Sequence, residues 1–168
     1  MALLEDALRF GGMVLAHVAW IASELKKDEL VCPIAIIQSG DERKVIPFES
    51  DSQAESIERA KGSFQHFRQV VDFWSFAREG LRSYPGADDT KIDVLIVSAW
   101  KRGLDEPIVL QQAFIPRATG KFKLLGSPDV AVHGMIPPEP THSILRSIVL
   151  QGVELHPQGG LWASWNGP

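Results

Sequence analysis

The chain has 168 residues, 45% of them hydrophobic and 23% charged, with a net charge of -4 and a pI near 5.7. That length suits one domain with a full hydrophobic core and is short for two, and the composition excludes a disordered or collagen-like chain. The acidic balance argues against a dedicated DNA or RNA binder, because phosphate binding needs a concentrated basic surface that releases counterions.

The first segment, Leu8 to Ala22 (LRFGGMVLAHVAWIA), is apolar enough to raise the question of a membrane or an export signal. Glu5 and Asp6 stand where a signal peptide carries positive charge, no small-x-small cleavage site follows, and Arg9 and His17 interrupt the run, so a helix buried in protein is expected. The periodicity predicts that this helix spans Leu3 to about Lys27, in spite of Gly11 and Gly12, which each cost roughly 1 kcal/mol against alanine. Leu4, Leu8, Gly11, Leu15, Val18, Ala22 and Leu25 form its core stripe, widened by Leu3, Phe10, Val14 and Ile21. Beside the stripe, Gly12, Ala16, Ala19 and Ser23 form a run of small residues that lets another backbone element come close. On the other side Met13, His17, Trp20 and Glu24 line up at spacings of four, three and four.

Val31 to Gln38 and Lys44 to Phe48 predict a hairpin of two strands around the turn SGDER. Cys32, near its start, is the single cysteine, so no intramolecular disulfide forms and a reducing compartment, the cytoplasm, is expected. Ser52 with Glu55 fits a capping box for a second helix whose inner face is Ala54, Ile57, Ala60, Phe64 and Phe67. From Val70 to Arg82 the period changes to two, with Val71, Phe73, Ser75 and Ala77 on one side and Trp74 and Phe76 on the other. A loop over Tyr84 to Asp89 leads to Ile92–Trp100 and Pro107–Pro116, two strands apolar on both faces, and residues 118–125 add a further strand. The Pro- and Gly-rich stretch from Gly126 to Pro140 predicts a surface connection, and Thr141 caps a last helix with Ile144, Leu145, Ile148 and Val149 turned inward. The expected fold is α+β, a mainly antiparallel sheet of five or six strands with three helices in the order α-β-β-α-β-β-β-(β)-α. Residues 1–156 make one domain, and 157–168 make a C-terminal Trp/Gly tail that docks on itself or on a partner subunit.

Candidate chemistry is sparse. Trp100, Lys101 and Arg102 resemble a basic aromatic contact, but Asp105 and Glu106 across the turn at Gly103 cancel the field, which fits a soluble hairpin tip. His17 and Glu24, with Trp20 as a wall, are the candidates for a ligand pocket. They could supply an acid and a base or two metal ligands, yet no metal-binding histidine spacing accompanies them, and a histidine paired at the edge of a buried helix is the plainer alternative. Cys32 has no sequence neighbour that would lower its pKa, Glu139 and His142 are separated by Pro140, and Asp88-Asp89 offers a cation too few ligands. No phosphate loop, dinucleotide fingerprint or nucleophile elbow occurs, so no cofactor, no metal and no catalytic residue is assigned. The wide apolar arc of the first helix and the two-faced central strands suggest more apolar area than one copy hides, which a two-fold homodimer would cover. The interface candidates are Gly12, Ala16, Ala19, Ser23, Trp162 and Trp165. The expectation is a cytoplasmic, homodimeric binding or interaction module without catalysis, with no nucleic-acid or membrane partner; the alternative is a small-molecule binder or enzyme with its pocket beside the first helix.

Overall fold

The elements follow the expected order, α1 (Ala2–Glu24), β1 (Ile34–Ser39), β2 (Glu42–Pro47), α2 (Gln53–Val70), β3 (Phe73–Ser83), β4 (Lys91–Lys101), β5 (Ile108–Ile115), β6 (Lys123–Ala131) and α3 (Thr141–Leu155), and the segment expected as a tail adds a short fourth helix, α4 (Leu161–Asn166). The computed structural model describes residues 2–26, 28–83, 90–117 and 120–166. The predicted loop Tyr84 to Asp89, with the Asp88-Asp89 pair, and the predicted helix end at Lys27 lie outside them. The strands form one antiparallel sheet in the order β2-β1-β3-β4-β5-β6. Among the described residues no helix is long and apolar enough to cross a membrane.

Local chemistry accounts for the boundaries. Ser52 caps α2 by accepting the Glu55 amide at 3.1 Å, while the Ser52 amide is taken by Ser50 Oγ at 3.3 Å. The last strand departs from expectation: β6 runs through Gly126 and Pro128, where a surface connection was predicted. Proline is tolerated there because β6 is an edge strand, with no partner beyond it to receive a missing donor. The β6 edge is partly covered as well, since the Val130 amide donates to Nε2 of the buried His142 on α3, 3.0 Å away. At the opposite edge β2 carries Glu42, Arg43 and Lys44 exposed, which discourages strand addition.

Helices cover both faces. α2 lies across β1 and β3, where Phe64 stacks on Trp74 and Trp74 on Trp100, with ring centroids 4.6 and 6.2 Å apart. On the other face α1 lies against the sheet, and a Cβ at Gly11 would sit 3.1 Å from Leu110 and 3.2 Å from Ala99. Leu8, Val14, Leu15 and Val18 are fully buried, each contributing about 1.5 to 3 kcal/mol of apolar transfer.

α3 lies beside α1, itself touching β6, and its crossing with α1 is built from two glycines. A Cβ at Gly12 would lie 2.0 Å from the Val149 carbonyl oxygen, and one at Gly152 would lie 2.0 Å from the Arg9 carbonyl oxygen. The helices therefore meet backbone to backbone. The close approach offered by Gly12 and its small neighbours is made by α3 of the same chain, and Ala16 and Ala19 are buried in the same core. The wide apolar arc of α1 follows: this helix has one side on the sheet and another on α3.

Candidate functional site

A cleft opens at the C-terminal half of α1, between that helix, the β5–β6 connection and α4. It measures about 340 Å³ and is lined by Trp20, Ser23 and Glu24 from α1, Arg117, Gly120, Lys121 and Phe122 from the connection, and Leu161 and Trp165 from α4. The α-helical period places Trp20, Ser23 and Glu24 on one side of α1 near its end, and the Ser23 hydroxyl donates to the Trp20 carbonyl at 2.6 Å, so it is held inward. Arg117 donates to the Glu24 carbonyl at 3.4 Å. A cation thus reaches the negative end of α1, which carries no basic residue in its own last turn. α4 is anchored by Trp162, whose side chain is in the main core, and Trp165 meets Phe122 edge to face at 5.3 Å. The walls are aromatic, with the cations Arg117 and Lys121 and one carboxylate, Glu24, at the exposed rim.

No family model, curated protein or solved structure matches this chain. What the site can do is read from its own side chains.

The predicted line along α1 divides in two. Trp20 and Glu24 reach the cleft, whereas Met13 is buried and His17 turns to a different partner. His17 Nδ1 lies 3.0 Å from Nε2 of His156, the residue that ends α3, across 139 positions of sequence. The Gln158 amide donates to His156 Nδ1 at 3.0 Å. An imidazole nitrogen that accepts has no proton, so in the neutral ring the proton sits on Nε2 and is donated to His17. Trp20 packs beside both rings, at 5.9 Å from His17 and 6.2 Å from His156. Burial lowers both histidine pKa values below the ordinary range, and at His156 the neighbouring His17 and Arg43 lower it further. His17 and Glu24 therefore do not work as a pair. Among the described residues no three His, Cys, Asp or Glu side chains converge as a metal site.

The other candidates are placed as follows. At the β4–β5 tip the charges pair with other elements rather than across the turn. Lys101 meets Asp6 of α1, Arg102 meets Asp72 at 3.6 Å and the Val71 carbonyl at 2.8 Å, and Glu106 meets His133 at 3.5 Å. Trp100 is buried there, its Nε1 donating to the Leu104 carbonyl at 2.8 Å and its ring covered by Arg68 at 5.3 Å. Burial and Glu49 raise the Cys32 thiol above its ordinary pKa and outweigh the Phe48 backbone contact, which lowers it, so the thiol stays protonated near neutrality. Glu139 lies 3.8 Å from His142 Nδ1, but the other ring nitrogen of His142 is committed to Val130. Of the interface candidates, Gly12, Ala16, Ala19 and Trp162 are buried within the chain, while Ser23 and Trp165 line the cleft.

A second, smaller cleft of about 220 Å³ lies across the end of α1, lined in part by Glu79 of β3, Asp93 of β4 and Arg117. Burial raises the Glu79 carboxyl above the ordinary range; the Val31 amide, 2.7 Å from Oε1, pulls it back and Asp93 pushes it up. Asp93 is raised by burial as well. Glu79 had a signal in the sequence, since it continues the inward alternation Phe73, Ser75, Ala77 with a charge.

Proposed function

We propose that the protein is a binding module that acts without catalysis and recognises a planar, anionic ligand in the cleft beside α1. The observation behind this is the combination of Trp20, Phe122 and Trp165 with Arg117 and Lys121 around about 340 Å³. Ring faces bind flat apolar groups, cations bind carboxylates or phosphates, and two cations against the single carboxylate of Glu24 leave the rim positive although the whole chain is acidic. This inventory holds a ligand and orients it, but supplies no nucleophile paired with a base. Trp quenching titrations with indole-3-acetate, salicylate and phenyl phosphate provide the test. At least one is expected to bind, with Trp165→Ala weakening it about tenfold through the lost ring contact and Lys121→Glu about fivefold through charge reversal. Failure of all three, or affinity unchanged in both variants, would end this reading.

A homodimer is a second reading, supported by the sheet face that carries α2. There α2 spans β1 and β3, and beyond Trp100 the same face carries the half-buried Ile96, Val109 and Leu125 around a polar cluster in which Arg82 donates to Asp129 at 3.1 Å and to Gln111 at 3.5 Å. A second copy related by a two-fold axis would cover these residues with their equivalents. Sedimentation equilibrium at micromolar concentration is expected to give a dimer, and Ile96→Glu a folded monomer; a monomeric parent chain contradicts it.

A further inference from the structure

His156 is the hub of the turn that carries the chain from α3 into α4. Its carbonyl accepts the Gly159 amide at 2.8 Å, its Nδ1 accepts the Gln158 amide at 3.0 Å, and its Nε2 faces His17 Nδ1 at 3.0 Å. The turn is tight, since a Cβ at Gly159 would lie 2.2 Å from the Val153 carbonyl oxygen. Trp162, which holds α4 in the core, and Trp165, which walls the cleft, both follow this residue in the chain.

We infer that the hydrogen-bond chain from the Gln158 amide through His156 to His17 is an acid-sensitive latch: protonation of either imidazole breaks a link of it, releases the segment from His156 through α4 and takes away one wall of the cleft. The hydrogen positions leave no alternative that keeps every bond. A second proton on His156 must go to Nδ1, where it faces the Gln158 N–H, and one on His17 must go to Nδ1, where it faces the N–H of His156 Nε2. Each event sets donor against donor. The same accounting disfavours a metal bridging the rings, because Nε2 of His156 carries the proton. The charges acting on the pair do not compensate: burial opposes charge at both rings, and His17 and Arg43 of β2 oppose it further at His156.

The sign follows from the lowered pKa values. The docked state binds protons less readily than the released one, so the latch holds fully above the ordinary histidine pKa of about 6.5 and weakens as pH falls below it. Each imidazole that gains its proton on release shifts the opening equilibrium by up to about tenfold per pH unit. The latch acts in the same way whatever the cleft binds.

Hydrogen exchange of the full chain, corrected for intrinsic rates, is the test. Protection of amides 158–166 is expected to fall at least tenfold between pH 7.5 and 5.5 while the β4 amides keep theirs, and His17→Gln/His156→Gln is expected to remove that pH dependence. Protection that stays constant, that falls equally in β4, or that is as pH-dependent in the double variant overturns the latch. Imidazole nitrogen NMR of the unmodified chain covers the case in which the double variant does not fold: a protonated Nδ1 on His156 at pH 7.5, or a midpoint at or above 6.5 for both rings, overturns it too.

Discussion

Gly12→Ala and Gly152→Ala are each expected to lower the unfolding free energy by about 3 kcal/mol, the upper end of what overpacking a core usually costs. The added methyl would stand 2.0 Å from a carbonyl oxygen of the opposite helix, Val149 for the first and Arg9 for the second. These oxygens belong to helical backbone and cannot turn aside as a flexible side chain would. α1 and α3 would have to separate along the crossing and loosen Leu145, Val149 and Val153 from the core they share with α1. Intrinsic helix preference works the other way, favouring alanine over glycine by about 1 kcal/mol. Gly62 of α2 supplies the contrast, because it is exposed and a Cβ there meets nothing within 4 Å. Gly62→Ala should therefore stabilise by up to about 1 kcal/mol. Urea denaturation of the three variants gives the comparison, and a gain at Gly12 like that at Gly62 would show that α3 does not sit where the crossing places it.

Trp162→Ala comes next, with an expected loss of about 3 kcal/mol or more, the usual cost of truncating a buried tryptophan. Its side chain is 7% exposed and belongs to the core formed by α1, α3 and the sheet. Trp165, three residues on, is half-buried against Phe122, and Trp165→Ala should cost no more than about 1.5 kcal/mol, the size of one aromatic contact. Denaturation midpoints of the two variants separate the tryptophan that holds α4 down from the one that faces the cleft. Equal losses would contradict this division.

The sequence made the element order readable because the periods are clean. The core stripe of α1 through Leu8, Gly11, Leu15, Val18 and Ala22 is buried as its spacing requires, and Ser52 caps α2. β6 starts within the strand expected over 118–125, but its continuation to Ala131 was hidden because Gly126 and Pro128 are turn residues wherever a strand has neighbours on both sides, and only its edge position admits them. The small-residue run signalled a close approach but not which element makes it. Gly152 lies 140 positions from Gly12, and nothing local couples the two. The candidate site was half legible for the same reason. Trp20 and Glu24 follow from helical spacing, whereas Arg117, Phe122 and Trp165 join them only through the sheet order and the return of α4. His17 was singled out on α1, but its partner at the end of α3 is set by the helix crossing.

The cleft beside α1 is tested most directly by the indole N–H signals of the five tryptophans in a nitrogen-labelled sample. Titrated with an aryl carboxylate or aryl phosphate, the signals of Trp20 and Trp165 should move together and saturate, while those of Trp74 and Trp100, on the far face of the sheet beneath α2, should stay in place. Saturable movement of Trp74 and Trp100 with Trp20 and Trp165 unmoved would place recognition on the other face of the sheet and contradict the assignment.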